Sequence, residues 1–217
     1  MFVNSNLCTI LYYNARSLLP KLDHLFLSVV THNPHIICIV ESWLGSEVNS
    51  SELDIPGYKL YRRDRNRQGG GVLMYIVDFM SVSFFPDPDP HLELLALSVS
   101  HNHFKINFCL FYRPPNSGSY IFDTLISYFD LICVASLSNF IFLGDFNVNF
   151  ADVSHPHYNT LQAIMSLYSL SQHVSDTTHT HHSGSTSIID LLFTNEDSVL
   201  HTCETIPPLS NSDHCGI

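Results

Sequence analysis

The sequence predicts an α/β sandwich in which two sheets face each other and helices cover the outside. Two observations support this prediction. Short apolar segments of strand type come in pairs between stretches of helical periodicity, and the regular strand–helix–strand alternation of a doubly wound sheet is not seen. The chain has 217 residues, 45% of them apolar, which suits one globular domain with a sizeable core.

Each predicted element follows from the spacing of its apolar residues. Helices show apolar side chains three and four positions apart, whereas strands are short apolar runs bounded by turn-forming residues. Ser17 is the expected N-cap of the first helix, and the polar stretch 172–186 is expected to be a long loop. The expected strands are 7–13, 35–40, 57–63, 71–77, 92–99, 104–112, 140–143, 188–194 and 199–206, and the expected helices are 18–31, 120–136 and 157–168.

Composition narrows the class of protein. No apolar run reaches the ~20 residues of a membrane span, and no basic residue precedes the short apolar stretch at the N-terminus, so an intracellular protein without a secretory signal is expected. The six cysteines form no Cys-x-x-Cys pair, and Cys38, Cys109 and Cys133 lie in apolar runs, as buried thiols do. The net charge of −11 argues against a broad electrostatic attraction to nucleic acid.

Two short strings point to chemistry. Asp145 and Asn147 follow the apolar run 139–143, and Asp213 stands beside His214 in a turn-forming context. A metal-assisted phosphodiester hydrolase needs oxygen ligands for a hard cation, a base for the attacking water and donors for the charge on phosphate. Taken alone, Asp-x-Asn after a strand is more often an Asx turn, by a ratio of about four to one.

Further strings in a fixed order favour the catalytic interpretation. They are Tyr13-Asn14-Ala15-Arg16-Ser17-Leu18, Glu41-Ser42-Trp43-Leu44, Arg62-Arg63-Asp64-Arg65, Gly69-Gly70-Gly71-Val72, Tyr112-Arg113-Pro114-Pro115 and Ser187-Ile188-Ile189-Asp190-Leu191. Their order resembles the endonuclease/exonuclease/phosphatase superfamily, and more closely the apurinic/apyrimidinic-endonuclease-like domain of LINE-type (non-LTR) retrotransposons. The resemblance runs from about residue 7 to residue 217 and implies a DNase I-like two-sheet sandwich.

The resemblance implies a metal site. Mg²⁺ is the implied cofactor, with Mn²⁺ as the alternative, and Glu41 and Asp213 are its implied ligands. This suits Mg²⁺, which commonly uses one or two carboxylates and keeps several waters. Asn14 is expected to contact the water shell of the metal or the phosphate.

The resemblance also implies catalytic roles. Asp145 would orient and deprotonate the attacking water, and Asn147 would hold that water and donate to the phosphate. His214 would donate to the scissile phosphate, while Asp190 would fix its tautomer and position. Tyr112 has a hydroxyl suited to a phosphate oxygen, although an aromatic residue of a sheet is an alternative interpretation.

Contact with DNA is implied for a third group. The residues assigned to nucleic-acid binding are Arg62, Arg63, Arg65, Arg113, Thr178 and Ser212. Arginines gathered in the hairpin loop could contact phosphates without reading sequence, or could form only a solvated loop, and Arg113 could instead stiffen its Pro-Pro turn. His173, His179, His181 and His182 have no cysteine partner at zinc-finger spacing, so zinc binding is not expected there.

Three functions fit the sequence. The first is a Mg²⁺-dependent endonuclease that nicks one DNA strand, acting in the nucleus with a reverse transcriptase domain encoded elsewhere in the parent element. The second is a phosphatase or phosphodiesterase of small phosphoesters, and the third is an inactive remnant. The chain is expected to be a single domain over 1–217 that lacks the family's last core strand, because only Cys215, Gly216 and Ile217 follow Asp213 and His214. The motif set favours an enzyme, and the missing strand favours a remnant.

Overall fold

The computed structural model, which describes residues 8–196 and 199–217, shows two sheets packed face to face with helices outside, as predicted. The strands are β1 (Ile10–Asn14), β2 (Ile36–Val40), β3 (Tyr58–Arg63), β4 (Val72–Val77), β5 (Ser81–Phe84), β6 (Glu93–His101), β7 (Phe104–Tyr112), β8 (Phe140–Asp145), β9 (Ser171–Gln172), β10 (His179–Thr180), β11 (Thr186–Ser187) and β12 (Asp190–Thr194). The α-helices are α1 (Leu22–His32), α2 (Tyr120–Leu131) and α3 (Tyr158–Leu167). None of the described helices is long and apolar enough to cross a membrane.

The strand order brings polar residues to one edge of the sandwich. The first sheet has the order β1-β2-β4-β3 and the second the order β5-β6-β7-β8-β12-β9. β1 runs parallel to β2, with Asn14 opposite Val40, and β7 runs parallel to β8, with Tyr112 opposite Asp145. β12 is antiparallel to β8 and begins with Asp190 opposite Asp145. The ends of four strands and the start of a fifth therefore meet at this edge.

Apolar residues fill three layers. The inner faces of the two sheets share one core, in which Tyr12, Cys38 and Met74 of the first sheet pack with residues of the second such as Phe108 and Leu143. A second core lies between the outer face of the second sheet and helices α2 and α3, and a third lies between the first sheet and α1. Burial on both faces explains why β2 and β8 read as unbroken apolar runs.

Some predicted elements differ from the structure. Ser17 does not cap the first helix, because it adopts a φ of +79° and a 3₁₀ turn over Leu19–Lys21 leads into α1. The second helix ends at Leu131, and the left-handed backbone of Cys133 separates it from another 3₁₀ turn. Cys133 is exposed, whereas the apolar residues around it in the sequence predict a buried thiol.

Other differences concern strands. The expected strand over 199–206 is wrong for the residues that the structure describes, where Ile206 forms a single bridge to Gly216. β5 is a strand that the sequence analysis does not predict. Its residues alternate Ser-Val-Ser-Phe, as in a half-buried strand, but the segment has only four residues and lies at the edge of the sheet. The predicted loop over 172–186 contains β10 and the start of β11. The first strand begins at Ile10, and its expected start at Leu7 lies outside the described residues.

The C-terminal residue lies beside β1. Ile217 and Tyr12 exchange two backbone hydrogen bonds, of 2.7 and 3.1 Å. Asp213 and His214 are thereby held near the free edge of the first sheet. That a further core strand follows in this family stays a prediction.

Gly144 permits the close approach of β7 and β8 just before Asp145. Its φ is +156°, and an added Cβ would lie 1.7 Å from the carbonyl oxygen of Phe111, its partner in the neighbouring strand. Backbone cannot retreat as a flexible side chain can, so this position requires glycine.

We expect Gly144→Ala to lower the free energy of unfolding by at least ~3 kcal/mol, because the methyl group forces two paired strands apart. Gly184→Ala is the matched control, since Gly184 also has a positive φ (+85°) but its added Cβ would meet no atom within 4 Å. The control should cost only the ~1–2 kcal/mol of left-handed backbone. Urea unfolding of both variants measures the difference, and equal losses would contradict the steric argument.

Candidate active site

Asp145 is buried at the end of β8 and accepts hydrogen bonds on both carboxylate oxygens. The backbone N–H of Asn147 donates to Oδ1 at 2.9 Å. The side-chain amides of Asn14 and Asn147 donate to Oδ2 at 3.0 and 3.2 Å. Asn147 has a φ of +47°, a conformation that asparagine tolerates, and its amide also donates to the carbonyl of Arg113 at 2.8 Å. The carboxylate is therefore held in one orientation.

His214 forms a carboxylate–imidazole pair with Asp190. Its Nδ1 lies 2.7 Å from Asp190 Oδ2, while the hydroxyl of Tyr12 donates to Asp190 Oδ1 at 2.6 Å. Because Nδ1 is engaged by Asp190, Nε2 is the nitrogen that faces Asn14, whose Nδ2 lies 3.5 Å away. One asparagine amide thus stands within hydrogen-bond distance of both Asp145 and His214.

The two titratable groups have strongly shifted pKa values. Burial, followed by the charge of Asp190, raises the pKa of Asp145 to about 8, although His214 opposes the shift. Burial alone would lower the pKa of His214, but Asp190, then Asp145 and Asp213, raise it to about 9. Burial thus disfavours the charged form of Asp145, whereas the surrounding carboxylates favour the charged form of His214.

Glu41 lies at the same edge, directly after β2, with a φ of +55°. Its Oε2 accepts from the indole N–H of Trp43 and from the backbone N–H of Gly70, the latter at 3.3 Å. Burial, together with the nearby Glu41 carboxylate, holds the pKa of Tyr112 well above its usual range. Because Tyr112 is the register partner of Asp145, Glu41 and Asp145 lie on one side of the molecule.

Asp213 is surrounded by cationic and imidazole groups. Its Oδ2 forms an ion pair with Arg16 and lies 3.4 Å from His179 Nε2, and its Oδ1 lies 3.9 Å from His214 Nε2. Oδ1 is buried and has no hydrogen-bond partner among the described residues. Burial alone would raise the pKa of Asp213, but Arg16 and then His214 lower it.

The predicted site residues converge. Their contacts form one continuous network at the edge where the parallel strands end, although the residues lie far apart in the sequence. The residues brought together are Asn14, Glu41, Tyr112, Asp145, Asn147, Asp190, Asp213 and His214. The convergence is confirmed, whereas their individual roles stay predictions.

The arginines of the hairpin loop make internal contacts. Arg62 donates to the carbonyl of Val48 and lies 3.3 Å from Asp64, and Arg65 forms an ion pair of 2.6 Å with Glu93. Arg63 donates to a backbone carbonyl at 3.3 Å. The loop is therefore not simply solvated, and whether these arginines contact DNA stays a prediction.

Two residues expected to contact DNA are buried. Arg113 is 2% exposed, and its guanidinium donates to the carbonyls of Phe146, Asn147 and Ser117, so it stiffens the turns around the site. Thr178 is 0% exposed. Neither side chain reaches the surface that a duplex would approach, and the expected DNA contacts do not fit this placement.

Thr178 and Ser212 form hydrogen bonds with the backbone of segments that carry site residues. The hydroxyl oxygen of Thr178 accepts from the backbone N–H groups of Ile189 and Asp190, at 3.1 and 3.0 Å. Ser212 is 8% exposed, and its hydroxyl donates to the carbonyl of Asn14 at 2.8 Å. Both hold the backbone that carries Asp190 and His214.

Sequence reasoning missed three residues of the site. Tyr12 lies inside an apolar strand and carried no signal of its own, yet it donates to Asp190. His179 belongs to the histidine-rich stretch, whose spacing does not suit a zinc finger, yet it contacts both Asp213 and His214. Arg16 lies in the segment Tyr13-Asn14-Ala15-Arg16-Ser17-Leu18, where no local pattern indicates its contact with Asp213.

Two groups of side chains could hold a cation. Ligand atoms of Asp145, Asp190 and His214 lie within 4.8 Å of one another, as do those of His179, Asp213 and His214. No such group among the described residues includes Glu41. The carboxylate oxygens suit a hard divalent ion such as Mg²⁺ or Mn²⁺. Burial and then the charge of Asp190 raise the pKa of Asp145, and a bound cation would oppose this shift.

Known proteins share both sequence and fold with the chain. A family model described as endonuclease-reverse transcriptase matches residues 106–217. No curated protein sequence matches the chain. The endonuclease domain of TRAS1, a telomere-specific non-LTR retrotransposon, is 17% identical with a TM-score of 0.74, over 96% of this chain and 95% of that one.

Two further solved structures share the fold. The AP endonuclease LMAP from Leishmania major is 14% identical with a TM-score of 0.78, over 99% of this chain and 87% of that one. The 3′ phosphatase NExo from Neisseria, bound to a product DNA hairpin, is 16% identical with a TM-score of 0.78, over 97% of each chain. The expected DNase I-like fold is confirmed.

The raised pKa of Asp145 predicts a pH dependence of stability. A carboxyl whose pKa is higher in the folded than in the unfolded chain binds its proton more tightly when folded, so its contribution is present below its ordinary value of 3.8 and is lost as the pH rises through about 8. We expect the free energy of unfolding of the wild type, without divalent ions, to fall relative to Asp145→Asn by up to ~1.4 kcal/mol per pH unit. Urea unfolding between pH 5 and 7, where the carboxyl is ionised in the unfolded chain but still protonated in the folded one, tests this. Parallel pH curves would contradict it.

Proposed function

Because the chain belongs to the endonuclease-reverse transcriptase family, within the endonuclease/exonuclease/phosphatase superfamily, we propose that it is a divalent-metal-dependent endonuclease that nicks one strand of DNA. The single observation that supports this most strongly is the shared position of Asp145 and His214. The Nδ2 of Asn14 lies 3.0 Å from the carboxylate and 3.5 Å from the imidazole. A base and an acid placed beside one amide donor suit the hydrolysis of a phosphodiester.

The proposed mechanism assigns one proton transfer to Asp145. Water attacks phosphorus, its proton passes to the Asp145 carboxylate, and the bond between phosphorus and O3′ breaks. The leaving oxygen takes a proton from solvent, so the products are a 3′-hydroxyl and a 5′-phosphate. Asp145 must be ionised to act as the base. Because its pKa is raised to about 8, a bound cation would favour the charged form that the reaction needs.

His214 and its neighbours stabilise the phosphate in this proposal. With a pKa raised to about 9, the imidazole is protonated at neutral pH, and its Nε2–H can donate to a phosphate oxygen as charge develops. Asp190 holds Nδ1 and thereby the orientation of the ring. The hydroxyl of Tyr112, near Glu41, and the amide of Asn147 are further donors at the same edge. The Asn147 amide already donates to Asp145 and to the carbonyl of Arg113, and it would have to exchange one of these partners for the phosphate.

A divalent ion fits this chemistry. We propose Mg²⁺, or Mn²⁺, held through Glu41 beside the cluster that contains Asp145. Such an ion, when bound, would neutralise charge on the phosphate. The arrangement of Glu41 serves this, because two N–H donors position its carboxylate at the edge of the sheet, near Tyr112.

The parent protein is proposed to be a LINE-type retroelement product. The support is the family match and the shared fold with the endonuclease domain of a non-LTR retrotransposon. A nick with a 3′-hydroxyl would prime reverse transcription in the nucleus, with the reverse transcriptase encoded elsewhere in the same element. The convergence of eight motif side chains favours an enzyme over an inactive remnant.

We expect the protein to nick supercoiled plasmid in the presence of Mg²⁺ and to lose this activity when EDTA removes the ion. Asp145→Asn keeps the size of the side chain but removes the base, so nicking should fall by about 10²–10⁴-fold. DNA affinity, measured by fluorescence anisotropy, should stay close to that of the wild type.

Lys105→Gln is the matched control for this assay, because Lys105 is exposed on the same sheet and its side chain has no contact with the site. An aryl phosphate tested in parallel distinguishes the alternative function. Hydrolysis of the aryl phosphate without plasmid nicking would favour a small-molecule phosphatase. Equal nicking by Asp145→Asn and the wild type would exclude Asp145 as the base.

Arg63 offers a direct test of contact with DNA. Arg62 and Arg65 are committed to internal contacts that shape the loop, so changing them would disturb the fold of the site. Arg63→Gln removes one charge from the partly exposed end of β3 and should lower the slope of log affinity against log salt by roughly 0.9. Lys59→Gln, an exposed lysine at the other end of the same strand, should leave the slope as it is. If the two variants behave alike, Arg63 does not contact phosphate.

A further inference from the structure

Arg16 brings a positive charge to Asp213 at the edge of the site. One of its terminal nitrogens, Nη1, forms an ion pair with Asp213 Oδ2, and 46% of the arginine side chain remains exposed. The same oxygen lies 3.4 Å from His179 Nε2. Oδ2 of Asp213 is therefore already matched by a side-chain cation.

The backbone around Arg16 is built to place this side chain. Arg16 and Ser17 have φ values of +40° and +79°, and consecutive non-glycine residues keep such a conformation only where their surroundings impose it. The N–H of Arg16 donates to Asn14 Oδ1 at 3.2 Å, and the N–H of Ser17 donates to the carbonyl of Glu41 at 2.9 Å. The loop is thus tied to two residues of the active site.

A buried lysine completes this support. Lys21 is 6% exposed, and its Nζ donates to the carbonyls of Ala15 and Arg16, the latter at 3.3 Å. Burying the ammonium group of a lysine is costly unless that group is hydrogen-bonded, as it is here. These bonds hold the peptide groups on both sides of Arg16, so the guanidinium is directed and not left to a free loop.

Guanidinium chemistry suits a double role at this position. It offers five N–H donors in a rigid plane, so it can bind a carboxylate with one edge and a phosphate oxygen with another. A divalent ion on Asp213 Oδ2 would have to displace Arg16. An ion on Oδ1, which has no hydrogen-bond partner among the described residues, would lie close both to this guanidinium and to His214 Nε2, 3.9 Å from that oxygen. The cluster of His179, Asp213 and His214 consequently has the ligand atoms for a metal ion, but the guanidinium of Arg16 already pairs with its carboxylate.

We propose, on the premise of the endonuclease function above, that Arg16 takes the place of a second divalent ion at Asp213 and positions a phosphate of the bound DNA. The enzyme then works with one divalent ion, bound through Glu41. Asp213 is in this case a positioning residue for Arg16 and not a metal ligand.

The count of bound Mn²⁺ ions tests this without DNA or turnover. Electron paramagnetic resonance of free Mn²⁺ in titrations of the intact chain should give one ion for the wild type and for Lys105→Gln. Arg16→Gln should bind two ions, because Asp213 is then available, and the double variant with Asp213→Asn should return to one. Two ions on the wild type, or one on Arg16→Gln, would overturn the proposal.

Two further variants cover the case in which Arg16→Gln does not fold. Arg16→Lys keeps the charge and should bind one ion. Asp213→Asn alone should also keep one ion with little change in its affinity, because Asp213 is not a ligand of it. Loss of that ion in Asp213→Asn would show that Asp213 does bind the metal, and the proposal would fail.

Nicking kinetics provide the second readout. Arg16→Gln should raise KM for plasmid about tenfold or more with a smaller change in kcat, and Arg16→Lys should recover part of it. A change in kcat alone would contradict phosphate positioning. If the wild type binds one Mn²⁺ ion but nicks no DNA, the endonuclease function fails while the assignment of Arg16 at Asp213 stands.

Discussion

The hydrogen bond from Asn14 to Asp145 joins the two sheets of the sandwich, and the active site depends on it. Asn14 ends a strand of the first sheet and Asp145 ends a strand of the second, 131 positions later in the chain. A second bond of the same kind runs from Tyr12 to Asp190. Both are buried, where a polar group without its partner is expensive, so the relative position of the sheets and the geometry of the site are coupled.

Local charge explains how an acidic protein could act on DNA. The chain carries a net charge of −11, and most of its hairpin arginines are paired with carbonyl or carboxylate oxygens of the protein. A general field would repel a phosphate backbone. Positive charge at the site comes instead from His214 and Arg16, and a divalent ion would add to it. In the proposed function, attraction to DNA is short in range and concentrated at the proposed cleavage site, which differs from the broad basic surfaces of many DNA-binding proteins.

Much of the fold could be predicted because burial on both faces leaves a clear signal. β2 and β8 are unbroken apolar runs, and polar residues directly after them had to lie at a sheet edge. Sequence patterns fail to predict structure where contacts between distant parts of the chain determine it. An apolar content like that of 199–206 does not make a strand without a neighbour to pair with, and Arg113 looks like a surface arginine until the loop of Asn147 closes over it. The pairing of Arg16 with Asp213 spans 197 positions, and no local pattern encodes it.

The glycine-rich hairpin supports Glu41 through its backbone. The carbonyls of Gly70 and Gly71 accept from Trp43 and Ser42, and the N–H of Gly71 donates to Glu93 at 2.7 Å, so the loop continues the pairing of β2 and β4 around Glu41. Gly70 and Gly71 have φ values of +68° and +85°, which side chains beyond glycine rarely adopt. Arg65 then links Glu93 to the loop. Removing the arginine or a glycine would therefore act on Glu41 through its support, and a loss of metal binding in such variants would reflect the loop and not a lost ligand.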